Sequence, residues 1–261
     1  FALRTAGYHR VPAERCNLIL TDCRGTREDI EQMSANKAAR KVVFLHTVLN
    51  LEDQFEQRLR SSYAGKLEAS HMTDQTIIRR AVAERGLSLH ARRRVCEGVL
   101  AAVSAGAEVV QFTCSTISPL AEPIGSVAGI RVLSVDARMA LEVVSRHTRV
   151  ALLVTNPGTV RQSEDQLRTA AAHAGREIKL QPSLEEDAYE ALLSSDEKTH
   201  DRLVVAEVER LSRTAEAIVF AQASTAGAVQ RSGMELPEEV SIYTSPRFAV
   251  EGLVDCLESL S

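Results

Sequence analysis

The sequence predicts an α/β fold of two pseudo-symmetric lobes, each a short, mostly parallel sheet flanked by helices, with an active site in the cleft between them. Three observations carry that prediction. From residue 41 onward short β-branched apolar runs alternate with amphipathic stretches, small polar residues follow most of the runs, and one strand-and-loop pattern occurs twice. Runs unbroken by polar residues suit strands buried on both faces, and their alternation with helices suits parallel βα units.

Taken in order, residues 1–40 read as an N-terminal extension. Its polar run over 21–40 has weak apolar periodicity and is expected to be partly helical around 28–38. Val42-Val43-Phe44-Leu45 is then followed by the amphipathic stretch 52–60. Val109-Val110-Gln111-Phe112 follows the stretch 91–105, and Val132-Leu133-Ser134-Val135 leads into 137–145. In the second half Val150-Ala151-Leu152-Leu153-Val154 leads into 159–174, Ile218-Val219-Phe220-Ala221 follows 201–213, and Val240-Ser241-Ile242-Tyr243 leads into 248–260. Residues 41–137 with 246–261 make the first lobe and 138–245 the second. The stretches 61–74 and 183–200 read as loops.

Composition narrows the function classes. At 261 residues the chain holds one large domain or two modest ones, and 44% apolar with 25% charged residues is ordinary for a globular protein. A net charge of −4 argues against a nucleic-acid binder, which needs a basic surface. No apolar run approaches the roughly 20 residues that span a bilayer, and no signal-peptide core is visible, so the expectation is a cytoplasmic protein without a membrane partner. The five cysteines, Cys16, Cys23, Cys96, Cys114 and Cys256, are scattered and fit free thiols. The histidines show no ligand-like spacing, so no metal is expected.

The residues after the strands suggest the chemistry. His46-Thr47, Thr113-Cys114-Ser115-Thr116, Asp136, Thr155-Asn156-Pro157-Gly158-Thr159, Gln222-Ala223-Ser224-Thr225 and Thr244-Ser245-Pro246-Arg247 all stand between a strand's carboxyl end and a helix's start. Open parallel sheets bind ligands at that edge, and helix N-termini there suit a carboxylate or phosphate. Each Ser or Thr has an ordinary reading as a helix cap. Repetition at five or six strand ends is what points to an anionic small molecule. Strand-Thr-Cys-Ser-Thr at 109–116 is echoed by strand-Gln-Ala-Ser-Thr at 218–225, which places two related loops across a cleft.

At these two loops the chain resembles the aspartate/glutamate/hydantoin racemase superfamily, which includes maleate isomerases and arylmalonate decarboxylases. The resemblance spans roughly residues 41–261. Cys114-Ser115-Thr116 stands where that family has Cys-Asn-Thr, and Ala223-Ser224 where it has Cys-Thr. Val154 to Thr159 resembles the turn opening the family's second lobe, and Thr244 to Arg247 its closing segment. Two departures are evident: the second cysteine is replaced by Ala223, and the first strand ends in His46-Thr47 rather than Asp or Ser followed by a small residue.

The resemblance implies a cofactor-independent isomerase, acting at the carbon next to the carboxylate of a small acid such as an amino acid or derivative, with Cys114 as acid/base. A thiol serves once a helix N-terminus or a nearby positive charge stabilises its thiolate. Thr47, Ser115, Thr116, Thr155, Asn156, Thr159, Gln222, Ser224, Thr225 and Arg247 are the candidate substrate-binding residues, Arg247 as a bidentate clamp on a second carboxylate. With Ala223 opposite, several outcomes stay open. His46 acts as the second acid/base; Ser224, Thr225 or water delivers the proton; a one-base lyase decarboxylates a malonate-like diacid; or Cys114 adds to a double bond as a nucleophile. A carboxylate-binding protein without catalysis is the reading from another class. Family members often pair, so a homo-oligomer is an expectation.

Ordinary readings accompany these. A lone cysteine after a strand is by default a core thiol. His46 is equally a structural histidine, Arg247 a surface residue and Asp136 a helix cap. Cys16, Cys23, Cys96 and Cys256 read as structural, and Arg92-Arg93-Arg94 as a solvated helix face.

Overall fold

A computed structural model describes residues 39–260 and folds them into two four-stranded parallel sheets. The extension, its expected helix over 28–38, and Cys16 and Cys23 lie outside the described residues, apart from Ala39 and Arg40, the latter opening the first strand. The strands are β1 (Arg40–His46), β2 (Leu67–Thr73), β3 (Val109–Phe112) and β4 (Arg131–Leu133), then β5 (Arg149–Val154), β6 (Lys179–Leu184), β7 (Ala217–Phe220) and β8 (Ser241–Thr244). The first sheet is ordered β2-β1-β3-β4 and the second β6-β5-β7-β8. Register repeats too: Val42 pairs with Val109 as Val150 pairs with Ala217. The duplication expected from the two related loops is thus a duplication of the whole sheet.

The helices are α1 (Glu52–Ser62), α2 (Gln75–Ala83), α3 (Leu89–Ser104), α4 (Ala121–Ala128) and α5 (Ala137–Arg146), then α6 (Val160–His173), α7 (Glu186–Leu193), α8 (Glu197–Ser212), α9 (Ala223–Ser232) and α10 (Ser245–Ser259). Local chemistry starts and stops them. Asp74, Ser88 and Asp196 accept the backbone N–H groups of Thr76, Ala91 and Thr199, which caps α2, α3 and α8. The helices that follow β3 and β7 end alike: Gly129 and Gly233 take the left-handed conformation, φ 67° and 65°, that terminates α4 and α9.

Each sheet buries an apolar cluster on both faces. Val43, Leu45, Val110 and Phe112 face α3 and α4, whereas Val42, Phe44 and Val109 face α1 and α10. Helix α10 brings Val250, Leu253 and Leu257 back onto β1 and β3. Full burial of Phe44, Phe112 and Phe220 stabilises the fold by about 2–3 kcal/mol each. Cys256 is buried in the α10 cluster, and Cys96 packs on the α3 side of the first sheet.

Two stretches that read as loops hold regular structure. Residues 61–74 contain β2, and 183–200 contain the end of β6, all of α7 and the start of α8. Both strands are sheet edges, half exposed in alternation, so the unbroken apolar run that marks a buried strand is missing. Strand β6 even contains Pro182, which only an edge tolerates. Among the described residues no helix is long and apolar enough to cross a membrane, and no group of three or more His, Cys, Asp or Glu is placed to hold a metal ion.

Candidate active site

A cavity of about 340 Å³ lies between the carboxyl ends of the two sets of strands. Its polar side is made of strand-end turns: Thr47 after β1, Thr113 to Thr116 after β3, Thr155, Asn156 and Thr159 after β5, and Gln222 and Ser224 after β7. Its apolar side is made by Val48, Leu51, Phe55, Ile78, Leu192 and Pro246, with Tyr189 beside them. Among the described residues that line it, none carries a charged side chain.

The turns also tie the lobes together. Ser115 Oγ donates to the Ala221 carbonyl oxygen at 3.2 Å, and the Thr116 and Thr159 hydroxyls lie 2.9 Å apart. Asn156 Oδ1 accepts the Gly158 N–H at 2.8 Å, which closes a tight turn. Gly158 is needed there, because a Cβ would fall 2.6 Å from the Ala81 carbonyl oxygen of α2. The hydroxyls of Ser115, Thr116 and Thr159 are therefore engaged within the protein, and what these residues offer a ligand is chiefly backbone.

Free donors do remain. The first turns of α9 and α10 reach the cavity through Ser224 and Ser245, and first-turn N–H groups have no partner inside a helix; Pro246, beside Ser245, has no N–H to offer. Gln222 uses Oε1 to accept the Thr155 N–H at 2.9 Å, which leaves its Nε2 buried and unpaired. Thr47 Oγ1 is likewise buried and unpaired. Each such orphan costs about 1–3 kcal/mol, a cost that a bound polar group removes.

Cys114 is half-buried in the turn after β3 and lines the cavity. Tyr189, from α7 of the other lobe, is its electrostatic neighbour: burial, then Cys114, push the phenol above its ordinary value, so it stays a proton donor. Tyr189 was hidden in a stretch that read as loop. The duplication is the signal that finds it, since Ile78 and Tyr189 each lie five residues past the strand ends Thr73 and Leu184.

Three of the expected site residues do not line the cavity. Arg247 points away, 66% exposed, paired with Glu251 at 3.3 Å and stacked 4.6 Å from the Phe248 ring centre, so it clamps nothing there. Thr225 is fully buried and donates to the Gln222 carbonyl oxygen at 2.6 Å. His46 faces α1, on the side of β1 opposite Leu45, and is fully buried with both ring nitrogens hydrogen-bonded, to Thr113 and His71. Burial first, and His71 second, lower its pKa to about 4. Asp136 departs from its expected role as well. It sits at the cap position of α5 without a capping bond, and its buried carboxylate accepts Ser118 and Ser134 instead. Burial pushes that carboxyl up.

No protein-family model and no curated protein matches the chain by sequence. Solved structures do match by fold. A Picrophilus torridus aspartate racemase superposes with a TM-score of 0.63 at 14% identity, covering 84% of this chain and 95% of that one. A glutamate racemase isoform from Bacillus anthracis gives 0.66 at 12%, over 85% and 83%. The allantoin racemase of Pseudomonas fluorescens gives 0.55 at 16%, over 84% and 91%. This chain has the fold shared by aspartate, glutamate and allantoin racemases.

Proposed function

We propose that the chain is a cofactor-independent isomerase of the racemase type, which moves a proton at the carbon next to the carboxylate of a small acid or acid derivative. Cys114 is the proton-carrying group. The observation that carries this reading is position: among the described cysteines Cys114 alone lines the cavity between the lobes, in the turn where the racemase-like Cys-Ser-Thr motif falls. The fold likeness to aspartate, glutamate and allantoin racemases supports the same reaction type.

The surroundings fit proton transfer next to a carboxylate. The cavity holds its polar end with neutral donors, namely the first turns of α9 and α10 and the unpaired Gln222 Nε2. Fixed donors of this kind favour the enolate that develops as the proton leaves, by roughly 3–4 kcal/mol per donor in well-studied enzymes. Val48, Leu51, Phe55 and Ile78 accommodate an apolar substituent. Among the described residues no carboxylate lines the cavity to pair with an ammonium group, which favours a derivatised or nitrogen-free acid over a free amino acid. Tyr189, a phenol that lines the cavity from the other lobe, takes the role of the missing second thiol, donating a proton in one direction of the reaction and accepting it in the other.

A second reading, a one-base lyase acting on a malonate-like diacid, is favoured by the apolar wall: a second carboxylate held there loses its hydration and leaves as CO₂. Incubation in D₂O with substituted malonates, hydantoins, amino acids and apolar carboxylic acids separates the two. Deuterium gain at the α-carbon without CO₂ supports the isomerase, CO₂ release supports the lyase, and neither with any compound overturns both.

A further inference from the structure

Behind the cavity wall lies a line of four polar side chains to which the reading above gives no role. Thr113 Oγ1 is 2.9 Å from His46 Nδ1, His46 Nε2 is 2.9 Å from His71 Nδ1, and His71 Nε2 is 3.0 Å from Glu56 Oε2. One end, Thr113, lines the cavity; the other, Glu56 on α1, is 30% exposed. The rings of His46 and His71 stack at 5.2 Å, with Phe44 closing on His71 at 5.0 Å, so the line is held by packing as well as by hydrogen bonds.

The donor directions along this line are coupled. With both rings neutral, the Glu56 carboxylate accepts from His71 Nε2–H, His71 Nδ1 accepts from His46 Nε2–H, and His46 Nδ1 accepts from the Thr113 hydroxyl. One added proton reverses the order. His71 then donates from both nitrogens, His46 accepts at Nε2 and donates from Nδ1, and the Thr113 hydroxyl turns to a second acceptor, the Leu45 carbonyl oxygen at 3.2 Å. Every polar atom of the line is satisfied in both arrangements.

We infer that Thr113, His46, His71 and Glu56 form a proton relay, which takes one proton from the cavity, stores it beside Glu56 and returns it. A proton arriving at Thr113 Oγ1 displaces the hydroxyl's own proton to His46 Nδ1. His46 Nε2 passes its proton to His71 Nδ1, and His71 becomes an imidazolium facing the Glu56 carboxylate. The return runs through the same bonds in reverse, so no proton is gained or lost. His46, with its pKa lowered to about 4 by burial and by His71, passes the proton on instead of keeping it. His71 and Arg60 hold the Glu56 carboxyl below the usual carboxylate range, so it is charged when the proton arrives. Glu52 of α1, bonded to Thr73, faces His46 and favours the passing charge. Thr113, the residue before Cys114, is the cavity end of the relay; His46, His71 and Glu56 act through it.

Histidine ¹⁵N NMR of the whole chain over a pH series tests the relay without any substrate. His46 is expected as the Nε2–H tautomer at neutral pH, and to invert to Nδ1–H as a proton enters the line at lower pH. Glu56→Gln is expected to move that inversion to lower pH. A His46 that keeps Nε2–H until the fold is lost overturns the relay. The kinetic arm rests on the function proposed above: Thr113→Val should lower α-carbon exchange roughly 100-fold, while Thr113→Ser, which keeps the hydroxyl, retains most of it. Undiminished exchange in Thr113→Val also overturns the relay. A silent substrate panel beside an inverting His46 overturns the proposed function instead and supports the relay.

Discussion

The Thr116 hydroxyl of one lobe lies 2.9 Å from the Thr159 hydroxyl of the other, and both are buried. The bond fixes the turn that carries Cys114 against the turn that follows β5. Replacing either threonine by valine leaves the partner hydroxyl buried and unpaired, a loss of about 1–3 kcal/mol. The double replacement removes both polar groups and should cost less than the sum, with a coupling of about 1 kcal/mol. Urea unfolding of the two single variants and the double variant measures this.

Gly158 packs against the backbone of α2, and its replacement should be felt across the cleft. Gly158→Ala places a Cβ 2.6 Å from the Ala81 carbonyl oxygen, so one backbone must shift. We expect a loss of about 1–3 kcal/mol in thermal or urea unfolding, together with weaker ligand binding in the cavity. An unchanged midpoint contradicts the close approach.

Stability should fall in mild acid because of His46. Its folded pKa is about 4 and its ordinary value 6.5, so between these the unfolded chain binds a proton that the folded chain refuses. Stability is therefore fully present above about pH 6.5 and is lost as the pH falls toward 4, by about 3 kcal/mol in all. The slope of unfolding free energy between pH 7 and 4.5 should flatten in His46→Gln; an equal slope contradicts the assignment.

Asp136 acts with the opposite sign. Burial raises its folded pKa, so its ionisation as the pH rises works against the fold. Asp136→Asn keeps an oxygen for Ser118 and Ser134 and removes the charge. The variant should be more stable than the parent at pH 7, with the gap closing in acid. A variant less stable at pH 7 shows that the carboxylate is held by more than those hydroxyls.

How much of this was legible in the sequence follows from burial. The central strands β1, β3, β5 and β7 are covered on both faces and announce themselves as apolar runs, whereas the edges β2 and β6 alternate and include Glu68 and Pro182. The site was legible as positions, because strand-end turns between a sheet and a helix can be counted along the chain. Side-chain direction was not. His46 and Thr47 are neighbours, yet the strand's two-residue period sends one ring under α1 and leaves the other residue in the cavity wall. Arg247 follows the same turn as Ser245 and Pro246, but one further step around α10 points it at Glu251 and solvent. Tyr189 was missed because its helix follows an edge strand.

The central claim is that Cys114 carries the proton, and one measurement tests it most directly. Deuterium incorporation from D₂O at the α-carbon is followed for the best substrate found, with the parent chain and with Cys114→Ala at matched folded concentration. Removing the acid/base group should lower the rate by about 100-fold or more while leaving ligand binding nearly unchanged. Exchange at the parental rate in Cys114→Ala contradicts the account.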